Sequence, residues 1–297
     1  MCRISKRALA FCLIVLTLLS CVSCDSKKKS DFSITFFDVG YGDSALVSCD
    51  GHYMLIDAGS SGTAEKVKKA LQNNSVIKLD FLVISHTHQD HCGGLEEALR
   101  AISTVERTFS IVSENDLQRY LNHSVQKPAW ASDDSEDTIS FCEELGLVGC
   151  NAIEIPKAGD EFKLGSAVVK IMLVGNPEKA NDSLVIMVTY GSTTFLFTGD
   201  MGERMEKDFV DEYPNVQITL LKVAHHGAKT STTEEFVKSI EPKYAVISVS
   251  EKNPYGHPEN KVLDVLNQAG TKIYRTDIDG NIIVTSDGQV LSFKTEK

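Results

Sequence analysis

The chain has 297 residues, 42% of them hydrophobic and 24% charged, with a net charge of −11. That composition supports a sizeable globular core, in one large domain or two small ones, and excludes a disordered or fibrous chain. The acidic balance excludes a broad basic field for gripping nucleic acid.

Arg3, Lys6 and Arg7 precede an apolar run over residues 8–19. These are the n-region and h-region of a signal peptide, too short for a comfortable membrane span. Leu18-Leu19-Ser20-Cys21 looks like a bacterial lipobox, in which the cysteine is lipidated and becomes the mature N-terminus. Cys21 fits better than Cys24 because Leu18 stands three residues before it; ordinary secretion with cleavage near Ser23 is the alternative. The expected division is a signal peptide over 1–24, a solvated lysine-rich tether over 25–31 and a working domain over 32–297, held outside the cytoplasm by a lipid anchor. Loss of 1–24 removes three basic residues and no acidic ones, taking the net charge from −11 to −14. No segment points to a protein partner. Cys142 and Cys150 are candidates for a disulfide in an oxidising compartment, but sequence does not fix pairing.

Residues 33–57 read as a β-meander, with strands over 34–37, 45–47 and 53–57, a glycine turn over 39–44 and a hairpin signal at Asp50-Gly51. Thr63 caps a helical pattern over 63–71. A continuous apolar run, Phe81-Leu82-Val83-Ile84, then predicts a buried strand, and it ends in His86-Thr87-His88-Gln89-Asp90-His91. Three histidines and an aspartate thus sit between a strand end and a helix that runs to about residue 102. Imidazole and carboxylate together suit Zn²⁺ or a similar borderline ion. His86 and His88, two residues apart, point the same way in an extended segment, while Asp90 and His91 face a second position, so one loop can serve two metals. Cys92 beside them reads as a small buried apolar residue.

Residues 104–160 predict a strand near 107–111, a helix near 114–122 and an acidic loop over 132–137. His123 reads as a surface histidine and Trp130 as a candidate for lining a substrate groove. Strands follow over 161–164, 167–174, 183–190 and 193–198. The last delivers Asp200 through Thr198-Gly199, and Glu203 and Met205 open a helix. Leu220-Leu221-Lys222-Val223-Ala224-His225-His226-Gly227 is a third strand ending in ligand-type residues. Alternation puts His225 and His226 on opposite faces. Which of them ligates stays open, with His225 favoured by the face it shares with Leu221 and Val223. Lys229, Thr230 and Ser231 are candidates for an anion before a helix at Thr232. A strand over 244–249, the loop Asn253-Pro254-Tyr255-Gly256-His257-Pro258, a helix over 259–268 and strands over 272–277 and 281–284 complete the pattern.

The histidine loop resembles the signature of the metallo-β-lactamase fold hydrolases. Val39-Gly40-Tyr41-Gly42-Asp43-Ser44, Asn181-Asp182-Ser183-Leu184, Thr198-Gly199-Asp200, His225-His226-Gly227, Tyr255-Gly256-His257-Pro258 and Arg275-Thr276-Asp277 occur in order. Together they resemble the extracellular hydrolase domain of the ComEC-type competence DNA-uptake proteins, and are similar to the phosphorylcholine esterase branch of the same fold. The likeness covers residues 32–294. Tyr41 stands where glutamine is usual, and a separate histidine between the first loop and the bridging aspartate is missing, with Asn181-Asp182-Ser183 in that corner.

The resemblance implies an α/β, four-layer αβ/βα sandwich. It implies two Zn²⁺ or Mn²⁺ ions held by His86, His88, Asp90, His91, Asp200 and His225. Asp57, Asp43, Ser44, Asn181, Ser183, His226 and Asp277 would support the site or contact substrate. Asp90 would orient a metal-bridging hydroxide, and His257 would protonate a leaving group. The expected function is an extracytoplasmic phosphodiesterase acting on DNA or on a cell-envelope phosphodiester. The alternatives are a lactone, thioester or β-lactam hydrolase, or a non-catalytic binding lipoprotein on the same scaffold.

Overall fold

The computed structural model describes residues 31–112, 153–179 and 181–297. The expected signal peptide, tether, helix near 114–122, acidic loop, His123, Trp130, Cys142 and Cys150 lie outside the described residues, as does Ala180.

Two sheets form around alternating apolar strands. The first has eight strands: β1 (Phe32–Phe36), β2 (Ala45–Cys49), β3 (His52–Ile56), β4 (Lys78–Val83), β5 (Thr104–Phe109), β6 (Ile153–Glu154), β14 (Ile282–Ser286) and β15 (Leu291–Thr295). Their spatial order is β15-β14-β1-β2-β3-β4-β5-β6. The second has seven: β7 (Glu161–Leu164), β8 (Ala167–Val174), β9 (Leu184–Tyr190), β10 (Thr193–Phe197), β11 (Leu220–Lys222), β12 (Tyr244–Ile247) and β13 (Lys272–Arg275), ordered β13-β12-β11-β10-β9-β8-β7. Each is mixed. β1 to β3 form the expected meander, whereas β3 through β6 and β10 through β13 run parallel.

The period-two rule of a strand distributes the side chains. Phe195, Phe197 and Leu220 point between the sheets, where Phe32 stacks on Phe195 at 5.0 Å and Phe36 on Phe197 at 5.9 Å. Leu196 and Leu221 point the other way, toward the helices. There they meet Met205 and Phe209 of the helix Glu203–Glu212, Phe236, Val237 and Ile240 of Glu234–Ile240, and Val262 and Leu266 of Asn260–Gln268. Outside the first sheet, Val67 and Leu71 of Ala64–Asn73 and Leu95 and Leu99 of Leu95–Leu99 pack on Leu55 and Leu82. The result is the αβ/βα sandwich expected from the sequence. Among the described residues no helix is long and apolar enough to cross a membrane.

Local departures have physical causes. Thr63 does not cap its helix, because its hydroxyl donates to Ser60 O at 3.1 Å. The helix after the histidine loop is two short pieces, Gln89–Cys92 and Leu95–Leu99, divided at Gly93-Gly94. The strand expected over 272–277 stops at Arg275, and Thr276–Asp279 is a helical turn. β15, Leu291-Ser292-Phe293-Lys294-Thr295 at a sheet edge, is short and half exposed and carries no apolar run to announce it.

Candidate active site

Parallel strands present their carboxyl ends on one edge of a sandwich, and loops leaving those ends are where such folds place ligands. Here β3 leads into Asp57, β4 into the histidine loop, β10 into the turn that carries Asp200, β11 into the turn that carries His225 and His226, and β12 into Ser248. Two groups of donors converge there: His86, His88 and Asp200, and Asp90, His91 and His226. Asp200 serves both. Its Oδ1 lies 3.2 Å from His91 Nε2 and 3.9 Å from His226 Nε2, while its Oδ2 lies 3.6 Å from His86 Nε2 and 3.7 Å from His225 Nε2.

The placement of His225 and His226 departs from the alternation argument. β11 ends at Lys222, and Ala224–Gly227 is a tight turn in which both histidines are left-handed, with φ of 49° and 54°. The favoured His225 therefore does not join the Asp90 and His91 group; His226 does, with Nε2 at 3.0 Å from Asp90 Oδ2. His225 faces the other oxygen of Asp200 and the open pocket. Gly227 completes the turn at φ 84°, where a Cβ would fall 2.6 Å from Pro258 Cβ. Gly42 plays a similar part beneath Asp90: a Cβ there would sit 2.3 Å from Asp90 O, so only glycine lets Asp43 N donate to that carbonyl at 3.0 Å.

A layer of supports fixes the rings. Asp57 Oδ2 lies 2.9 Å from His91 Nδ1, and its two oxygens also accept from Ser85 N at 2.8 Å and Ser85 Oγ at 2.7 Å. Ser44 Oγ donates to Asp57 O at 3.1 Å. His226 Nδ1 lies 2.9 Å from Ser248 O and 3.4 Å from Asp43 Oδ1. Ser183 Oγ accepts from Asp200 N at 3.0 Å and approaches His86 Nδ1 at 3.5 Å. Such contacts fix tautomer and orientation so that Nε2 presents its lone pair inward.

Lys222 was not singled out from sequence. Its side chain is 4% exposed, and Nζ lies 2.7 Å from Asp43 Oδ2 and donates to Val223 O at 2.8 Å. A lysine inside the apolar run 220–224 was the available signal, since lysine is almost never buried unpaired. Other candidate residues have partners of their own. Asp277 is engaged bidentately by Arg275 at 3.0 and 2.5 Å. Lys229 pairs with Glu259 at 3.8 Å, and Ser231 bonds within its own turn to Ala224 O and Ala228 O. Cys92 is buried, with Sγ directed at Thr87 O at 3.4 Å.

Above the donors lies an open pocket of about 660 Å³, lined among others by Tyr41, His88, Asp90, Asn181, His225 and His257. Tyr41 lays its ring over His226, 4.5 Å between centroids, and its hydroxyl lies 3.4 Å from His257 Nδ1. Burial and the nearby Asp90 and Asp200 push the Tyr41 phenol far above its ordinary value, so it stays protonated.

The electrostatics call for a cation. Burial alone would raise the pKa of Asp43, Asp90 and Asp200, yet all three are held low: Asp43 by Lys222 and His226, Asp90 (to about 2) by His91 and His226, and Asp200 by His91 and His86. Burial pushes His86 well below its usual value. Burial opposes a charge on His91 and His226 too, but the surrounding carboxylates win, lifting His91 well above its usual value and His226 to about 9. Among the described residues, buried His86 Nε2 has no hydrogen-bond partner, and buried His91 Nε2 and Asp200 Oδ1, 3.2 Å apart, have no partner but each other's charge. Orphaned atoms of this kind are rare in folded proteins. Their convergence, with a histidine and carboxylate donor set, fits one or two divalent transition ions.

Fold and donors together define a metal-dependent hydrolase class. The chain belongs to the metallo-beta-lactamase superfamily, whose model matches residues 37–251. It is 29% identical to ComE operon protein 3 of Bacillus subtilis over 94% of this chain and 37% of the relative. It is 27% identical to competence protein ComA of Neisseria gonorrhoeae over 85% of this chain and 32% of the relative. The chain thus spans about a third of the length of these curated relatives. Among solved structures, the metallo-beta-lactamase fold protein YhfI from Bacillus subtilis aligns over 86% of this chain and 100% of its own, at 11% identity and a TM-score of 0.56.

Proposed function

We propose that the chain is an extracytoplasmic, binuclear metal-dependent phosphodiesterase, held to the membrane by a lipid on Cys21. The convergence of unsatisfied His86 Nε2, His91 Nε2 and Asp200 Oδ1 beneath an open pocket carries the metal-dependent part of this reading. His86, His88 and Asp200 would hold one ion, and Asp90, His91 and His226, sharing Asp200, the other; Zn²⁺ and Mn²⁺ both suit the donors. When bound, the ions would acidify a water and stabilise charge developing on substrate oxygens.

The chain's own groups do the rest. Asp57 and the Ser248 carbonyl keep His91 and His226 aimed inward. His257 stands at the pocket with Nδ1 beside the Tyr41 hydroxyl, which leaves Nε2 free to hand a proton to a departing alkoxide. Burial, then His225 and His226, lower the pKa of His257, so its imidazolium gives up a proton more readily than a free one, and an incoming phosphodiester anion would favour that protonated form. The competence named for the Neisseria relative supports nucleic acid among the substrates, and the net charge of −11 weighs toward a small or envelope-bound phosphodiester.

The test is elemental analysis of the purified chain, with parallel assays on bis-p-nitrophenyl phosphate, single-stranded DNA and nitrocefin. About two transition ions per chain and chelator-sensitive phosphodiester turnover are expected. Full activity without bound transition metal, or nitrocefin turnover without phosphodiester turnover, would overturn the reading.

A further inference from the structure

We infer that the two donor groups bind metal unequally, with Asp90, His91 and His226 forming the tighter site and His86 and His88 the looser. This rests on the metal-dependent reading above and concerns how this chain's residues are prepared for the ions.

The difference lies in the nitrogen each imidazole turns away from the centre. A ligating histidine is a better and better-oriented donor when its other nitrogen gives its proton to a carboxylate or a backbone carbonyl. On the Asp90 side both rings have such a partner. His91 Nδ1 faces Asp57 Oδ2 at 2.9 Å, and His226 Nδ1 faces Ser248 O at 2.9 Å with Asp43 Oδ1 at 3.4 Å. Both rings are fully buried, so their orientation is fixed by packing as well. Asp57 is itself held by two bonds from Ser85, and Asp43 by the buried Lys222.

The other side has no equivalent. Among the described residues His86 Nδ1 meets only hydroxyl oxygens, Ser85 Oγ at 3.1 Å and Ser183 Oγ at 3.5 Å. Those hydroxyls already donate elsewhere, Ser85 to Asp57 and Ser183 to Asn181 O, so each offers His86 a neutral lone pair and nothing stronger. Neither ring nitrogen of His88 is hydrogen-bonded by a described residue, and the side chain is only partly buried at the pocket wall. His225, the remaining histidine facing Asp200 Oδ2, has its Nδ1 buried without a hydrogen-bond partner among the described residues. Removing one such outer partner typically lowers metal affinity about 10–100-fold. The looser site should therefore be weaker by at least about tenfold.

The experiment titrates the metal-free full-length chain with Zn²⁺ alone against a chromophoric chelator, which reads affinity without any turnover. Two binding steps separated by at least about tenfold are expected. His88→Ala should remove the weaker step and leave the tighter one in place, whereas His226→Ala should remove the tighter. Asp57→Asn should weaken the tighter step about 10–100-fold and narrow the gap. Two indistinguishable steps in the unmutated chain, or loss of the tighter step in His88→Ala, would overturn the inequality while leaving the metal-dependent reading intact. Absence of any bound Zn²⁺ would overturn both. The unmutated chain tests the inequality, and Asp57→Asn, which keeps every donor, tests which site is the tighter, since an unchanged tighter step in that variant would overturn the assignment.

Discussion

Lys222 and Asp43 form a buried ion pair beneath the site, and Lys222→Met isolates what that pair does. The side chains are 4% and 7% exposed, and Nζ and Oδ2 lie 2.7 Å apart. Methionine approximates the lysine stem, so the substitution removes the charge with little change in packed volume. What remains is a buried carboxylate whose Oδ1 makes no hydrogen bond and whose nearest cationic neighbour is the His226 ring at 3.4 Å. Breaking a buried pair from one side costs about 3–5 kcal/mol, whereas replacing both partners by neutral groups is often close to neutral. Urea unfolding of the chain, the Lys222→Met and Asp43→Asn variants and the double variant gives the cycle. Lys222→Met should lose about 3–5 kcal/mol, and the double variant should lie nearer the parent than that single variant does. A loss under about 1 kcal/mol, or additive losses in the double variant, would show that Asp43 does not depend on Lys222.

Four further outcomes are expected. Asp90→Ala should lower turnover of every phosphodiester by on the order of 10³-fold, because it removes a donor beside His91 and His226; undiminished kcat/KM would overturn the proposed chemistry. His257→Ala should slow alkyl phosphodiesters by about 10²–10⁴-fold but p-nitrophenyl esters much less, since the latter leave without a proton; equal losses with metal retained would remove His257 from the acid role. Glu206 is buried on Thr232 N and Thr233 N, and burial raises its pKa above 4.5 despite those bonds. The folded state then holds the extra proton, so stability should fall as pH rises above 4.5, and Glu206→Gln should flatten that slope in urea midpoints; an unchanged slope would refute it. Cys21→Ala should release the chain from the membrane fraction; unchanged fractionation and mass would rule out Cys21 as the lipid site.

What could be read from the sequence and what could not divide along one physical line. A strand that is buried on both faces announces itself as an unbroken apolar run, and ligand-type residues directly after it must lie at a sheet edge. That is why Phe81 to Ile84 before the histidine loop, and Phe195 to Phe197 before Asp200, pointed to the edge where the structure brings those residues together. The same rule misled at His225 and His226, because alternation assumes extended backbone and both residues are left-handed. Nothing local to that segment announces such a turn except Gly227, which has a φ of 84° and where a Cβ would also strike Pro258, thirty-one residues away. Lys222 was hidden for a related reason: its partner Asp43 lies on a loop of the other sheet, and only the closing of the sandwich brings them to 2.7 Å. Local pattern therefore exposes donors that follow their own strands, whereas the groups that orient them reach their histidines across chain separations no pattern spans: Asp57 and Asp43 were named only through the family resemblance, and Ser248 not at all. Those outer groups are also what makes the two halves of the site unlike each other. If the two donor groups bind metal as proposed, their asymmetry is a property of the folded edge, and substitutions among Asp43, Asp57 and Lys222 would tune one position while the donors themselves stay unchanged.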